Sequence, residues 1–140
     1  MKKQKAIAIK CISLLLVLAL FLPVNVMAVE SRASYYLDAY SAYIYPAGWG
    51  KVQVWFDVTA VRGMDVLGVS EVIVQRSTDG VNWSDEAFYY DMYRNGSSYY
   101  GGHVTYSDVT SGYYRAQVTY YAEDDTGVGE YTARTSSFHY

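Results

Sequence analysis

Residues 51–62 carry an apolar side chain at every second position from Val52 to Ala60, and a period of two dictates an extended strand with one dry face. Val52, Val54, Phe56, Val58 and Ala60 fall on one side. Gln53, Trp55, Asp57, Thr59 and Val61 fall on the other. The same rhythm returns in 113–122, where Tyr114, Ala116, Val118, Tyr120 and Ala122 oppose Tyr113, Arg115, Gln117, Thr119 and Tyr121. Weaker versions predict strands at 34–45, 69–77, 87–93, 99–107 and 130–140. In 69–77 the polar residues share a face with Ile73, so Val72 and Val74 are assigned to the core and Ile73 to an exposed spot.

Turn chemistry separates these segments. Pro46-Ala47-Gly48, Asp79-Gly80, Asn95-Gly96 and Ser111-Gly112 are turn signals, the second and third of hairpin type. Residues 63–68 read as a connection with Met64 and Leu67 tucked inward, Gly101-Gly102 as a bulge or bend, and 123–129 as an acidic hairpin loop. About seven strands with no helical period between them predict an all-β, immunoglobulin-like antiparallel sandwich, with a barrel as the alternative. No internal repeat or low-complexity linker divides it, so residues 29–140 are expected to form one domain.

The first 28 residues differ in kind. Lys2, Lys3, Lys5 and Lys10 precede an apolar run from Cys11 to Leu22, and Val26-Met27-Ala28 ends the segment with small-residue spacing. This is the pattern of a secretory signal peptide, cleaved between Ala28 and Val29. A run of about a dozen apolar residues falls short of the roughly 20 that span a bilayer. The expected product is a protein released to the extracellular space, with no stable membrane insertion after cleavage. Cys11, the one cysteine, leaves with the peptide, so the mature domain must hold itself by packing and hydrogen bonds. Cleavage leaves 112 of the 140 residues, with seven basic against fourteen acidic side chains and a net charge of −7. The basic residues are scattered singly, which removes the electrostatic footprint of a nucleic-acid binder.

From Asp108-Val109-Thr110-Ser111-Gly112 onward the chain resembles the end of a fibronectin type III or related immunoglobulin-like domain. A turn leads to a tyrosine opening a long strand, then an acidic loop and a closing strand. The resemblance implies that Tyr114 forms a tyrosine corner, its hydroxyl bonding to backbone upstream. The mature chain also resembles a family of small secreted proteins of Gram-positive bacteria that carry a domain of unknown function. The residues that carry this are Met64-Asp65-Val66-Leu67-Gly68, Val72-Ile73-Val74-Gln75-Arg76-Ser77-Thr78-Asp79-Gly80 with Trp83, Tyr114-Arg115-Ala116-Gln117-Val118 and Tyr121-Ala122. That resemblance implies a secreted β-sandwich and brings no activity.

Catalytic machinery is hard to assemble from what remains. His103 and His139 are the only histidines and support neither a Ser-His-Asp order nor a zinc site. Neither a cofactor nor an enzyme is expected. The segment 77–83 comes near an Asp-box but occurs once, and reads as a hairpin whose Asp79 caps the turn while Trp83 packs over it. Glu123, Asp124, Asp125, Thr126, Gly127 and Glu130 offer oxygens to calcium without EF-hand spacing, and read as a solvated loop.

The unusual feature is tyrosine. All 17 lie after residue 34, many as adjacent pairs. Neighbours on a strand point to opposite faces, so one of each strand pair faces outward. Outward tyrosine supplies rigid amphipathic contact area. The predicted binding surface is Trp55, Ile73, Tyr89, Tyr93, Tyr99, Tyr113 and Tyr121, for a glycan or a cell-surface protein; a structural, self-assembling role is the alternative.

Overall fold

The computed structural model describes residues 33–140; the expected signal peptide and its expected cleavage site lie outside them. A single helical turn, α1 (Ala33–Tyr36), leads into six antiparallel strands: β1 (Leu37–Pro46), β2 (Val52–Ser77), β3 (Ser84–Tyr106), β4 (Tyr113–Asp124), β5 (Gly127–Arg134) and β6 (Phe138–His139). The strand expected at 34–45 thus begins later. Tyr36 turns inward over Gly127 and Gly129, where a Cβ at residue 129 would meet its ring at 2.7 Å.

The strands form one curled sheet. β3 runs along one side of β2 for nearly its whole length. On the other side β2 pairs first with β1, through residue 60, and then with β4, from residue 66. β5 and β6 extend the sheet from β4. The curl is sharp. The Tyr89 hydroxyl donates to the Thr105 carbonyl at 2.8 Å, although both belong to β3 and stand 16 residues apart. A straight strand would hold them roughly 50 Å apart. Tyr120 of β4 likewise donates to the Ser41 carbonyl of β1 at 2.6 Å. The two halves of the sheet close on one core, which includes Val52, Val54, Phe56 and Val58 from one half and Val72, Val74, Ala116 and Val118 from the other.

Alternation predicts this core closely where strands are regular. All ten positions named above as the apolar faces of 51–62 and 113–122 are buried. Met64 and Leu67 point inward as expected, but 63–68 is not a connection. β2 continues through it, with a register shift against β3 between Thr59 and Met64, and the inward face changes parity after Met64. Asn95-Gly96 is likewise no hairpin. The segments before and after it pair in turn with β2, not with each other, and β3 bends there with Gly96 at φ 61°. Gly101-Gly102 causes no bulge: the pairing of β3 with β2 is unbroken from residue 99 to residue 106. The last predicted strand splits, and Thr135 closes the gap, its hydroxyl accepting from the Ala116 N–H at 2.9 Å.

Two expected local devices are present. The Tyr114 hydroxyl accepts from the Thr110 N–H at 3.0 Å and donates to the Thr110 carbonyl at 2.9 Å. Asp79 caps its turn by accepting from the backbone N–H groups of Val81 and Asn82, both at 2.8 Å. These hydrogen bonds, Asn82 first, hold its carboxyl well below the usual carboxylate range. Trp83 lies under the Arg115 guanidinium, 4.1 Å from the ring centroid.

Candidate functional site

On the outer face of β1, the first half of β2 and the last part of β3, the register aligns side chains in rows. Tyr43 stands opposite Trp55, and Trp55 opposite His103. One row along, Ser41 faces Asp57 and Asp57 faces Gly101; beyond it, Thr59 faces Tyr99. Opposed residues share a face of the sheet, so three aromatic or heteroaromatic rings form a file. The Trp55 and His103 rings stack at 4.7 Å and 18°. The Trp55 indole N–H donates to Gln53 Oε1 at 3.2 Å, and the same oxygen accepts from the Tyr45 hydroxyl at 2.9 Å. Gln53 in turn donates to Thr105 at 3.2 Å, which fixes the amide and with it the indole.

Gly101 opens a gap beside this file. It has no side chain, and a Cβ there would lie 2.7 Å from the Tyr99 hydroxyl, which leans across it. A cleft of about 410 Å³ results, lined by Tyr43, Trp55, Tyr99 and His103 around Asp57 and Gly101. That size lies within the roughly 300–1,000 Å³ of small-ligand clefts. Ser41 Oγ donates to Asp57 Oδ2 at 2.5 Å and holds the carboxylate in the floor. Trp55 and Tyr99 remain 37% and 52% exposed, so their aromatic surfaces are open to a ligand.

Of the seven predicted surface residues, Trp55 and Tyr99 meet in this cleft. Tyr93 and Tyr121 meet elsewhere, on the outer face of the other half of the sheet. They flank Gly68 on the strand between them, and their rings approach to 5.4 Å over it. The Tyr121 hydroxyl donates to Glu123; this bond, with burial second, pushes the phenol up to about 12. Tyr113 stands apart, edge-on to His139 at 4.7 Å.

Two of the seven do not face solvent. Ile73 is 8% exposed: it sits on a central strand, opposite Phe88 of β3 on one side and Gln117 of β4 on the other. Tyr89 points inward opposite Val72 and packs against the core. In its place Phe88 and Tyr90 face out, at 48% and 58% exposure, with stacked rings. Tyr89 and Tyr93 take opposite faces because Asp91, between them, adopts a left-handed φ of 59° and shifts the alternation by one residue.

Sequence reasoning missed Tyr43, Asp57 and His103 as site residues. The alternation already turns Asp57 outward. Tyr43 is found by pairing 34–45 with 51–62 across the turn that begins at Pro46, which sets Tyr43 beside Trp55. Nothing local signals His103. In the acidic loop, Asp124 accepts from the Thr126 N–H at 2.8 Å and from Arg62, and its carboxyl is lowered, chiefly by Thr126. Among the described residues, no three His, Cys, Asp or Glu side chains gather as a metal site would require.

The fold and site define an all-antiparallel β protein with an aromatic cleft on one outer face. Comparison with protein-family models, curated proteins and solved structures finds no match to the chain.

Proposed function

We propose that this chain is a secreted, non-catalytic binding domain of immunoglobulin-like sandwich type, and that the cleft holding Trp55 and Tyr99 binds a carbohydrate. The sandwich reading counts each half of the bent β2 and β3 as a separate strand. With the two-residue β6 set aside, this gives seven strands in two layers, β1 with one half of β2 and of β3, and the other halves with β4 and β5. The Tyr114–Thr110 bonds are those of a tyrosine corner and support the same class. Export rests on the N-terminal 28 residues.

The observation that carries the binding reading is the file of Tyr43, Trp55 and His103 alongside a hydrogen-bonded Asp57. Sugar rings present apolar C–H faces and a rim of hydroxyls. Aromatic walls take the first and a fixed carboxylate accepts from the second. Asp57 is the one carboxylate in the lining, whereas glycoside hydrolysis uses two flanking the scissile bond. Glycan-array binding followed by calorimetric titration tests the reading. Trp55→Ala and Tyr99→Ala are expected to weaken binding at least about tenfold, while Tyr93→Ala and Tyr121→Ala, on the other half, leave it unchanged. An array without a hit, or equal loss from both pairs of variants, sinks the reading.

Self-assembly has one specific observation in its favour. Among the described residues β3 pairs with β2 alone, which leaves its outer edge free beside exposed Phe88 and Tyr90. Sedimentation across a concentration series decides it; a monomer at the highest concentration rules assembly out.

A further inference from the structure

The cleft is unbalanced in charge. Its lining contributes one carboxylate, Asp57, and neither lysine nor arginine. The described arginines are engaged elsewhere. Arg62 bonds to Asp124, Arg76 to the Ser111 carbonyl, and Arg134 to Gln117. Arg94 lies over Tyr100, and Arg115 lies over Trp83 while bonding to Gln75. Asp57 therefore faces the cleft with a hydroxyl partner in Ser41 and without a lysine or arginine from the lining.

A carboxylate between aromatic walls with no lysine or arginine beside it repels an anionic sugar and attracts a ring that carries a positive charge, through ion pairing and through the negative faces of the rings. Resting on the carbohydrate reading above, we infer that the cleft selects an amino sugar with a free ammonium group. The C–H face of that sugar lies on the file of Tyr43 and Trp55, and its ammonium meets Asp57.

The test titrates the full chain with four probes: a de-N-acetylated glucosamine oligomer, its N-acetylated counterpart, a neutral glucose oligomer of equal length and a lysine peptide of equal charge. The free-amine oligomer is expected to bind at least about fivefold more tightly than the other three. Its affinity should fall with added salt, because the ammonium contact is screened, while the neutral oligomer's should not. Asp57→Asn should erase both the preference and the salt dependence; Trp55→Ala should weaken every sugar. The salt series on the unaltered protein keeps the test sound if Asp57→Asn folds poorly. Equal binding of the acetylated or neutral oligomer overturns the inference and leaves the carbohydrate reading standing. Equal binding of the lysine peptide also overturns it, since the ring is then not read. Binding to no sugar at all removes the carbohydrate reading itself.

Discussion

A buried phenol is tolerated only where its oxygen finds a partner, and Tyr114 shows how much hangs on one hydroxyl. It closes both backbone groups of Thr110. Tyr114→Phe keeps the ring and leaves those groups unpaired, so it is expected to cost about 1–3 kcal/mol in urea denaturation. Tyr113→Phe, one residue away on the opposite face, is expected to change stability by less than about 0.5 kcal/mol. Tyr121 gives a pH signature. Its neutral form is the stabilised one, because only the protonated hydroxyl can donate to Glu123. That contribution is intact below the ordinary value of 10.0 and is lost as pH rises through about 12. Burial raises Tyr120 in the same direction. Ultraviolet titration of the folded protein is expected to show tyrosines ionising above the ordinary range, with stability falling from about pH 10 upward. Glu123→Ala should bring the Tyr121 titration down; an unchanged profile in that variant would show that the carboxylate is not the cause. Parity alone turned Tyr114 inward and Trp55 outward. It misassigned Ile73, since parity reports the face and not whether neighbouring strands cover it.

At the scale of an element, the irregular positions matter most. β2 changes its inward parity twice, from even residues up to Met64, to Leu67 and Val69, and back to Val72 and Val74. The second change is a bulge against β4, where Val69 opposes Tyr120 but Glu71 opposes Thr119. Such a slip is invisible in a period of two, which is why Met64 and Leu67 read as parts of a connection instead of a strand. Gly68 stands next to this bulge. A Cβ there would lie 2.1 Å from the Met92 carbonyl oxygen and 2.9 Å from the Tyr93 Cα, and neither backbone atom can rotate away. Gly68→Ala is expected to destabilise by about 3 kcal/mol, the upper part of the overpacking range. A Cβ at Gly63 meets nothing within 4 Å, and Gly63→Ala is expected to lie within about 0.5 kcal/mol of the parent. Thermal melts of the two variants check the pair, and equal midpoints would mean that β2 and β3 can part at Gly68 without cost. The candidate site was half legible for the same reason. Trp55, Asp57 and Tyr99 turn outward by alternation, whereas the rows joining them to Tyr43 and His103 depend on register between strands far apart in sequence.

For the whole molecule the question is whether the two halves of the sheet are separable. Turn signals after Asn95 and around Gly63 suggested independent strands that could belong to independent layers. The structure has two long strands, β2 and β3, that each pass through both halves. Splitting the halves would require bending these strands further, breaking the Tyr120–Ser41 and Tyr89–Thr105 bonds and dividing a core that draws on β1 through β4. Each of those losses exposes surface or polar groups that nothing else in the fold covers, so unfolding is expected to be a single cooperative step. Tryptophan reports on this directly, because Trp55 lies in one half and Trp83 at the far end of the other. A variant retaining only Trp55 and one retaining only Trp83, with phenylalanine at the other two positions, can each be followed by fluorescence in urea. Circular dichroism gives each variant its own global midpoint. In both variants the fluorescence and dichroism transitions are expected to coincide, even where the substitutions shift the absolute midpoint. A Trp83 signal that is lost before the β signal would mean that the end of the sheet beyond Ser77 melts by itself, and that the shared core does not unite the two halves.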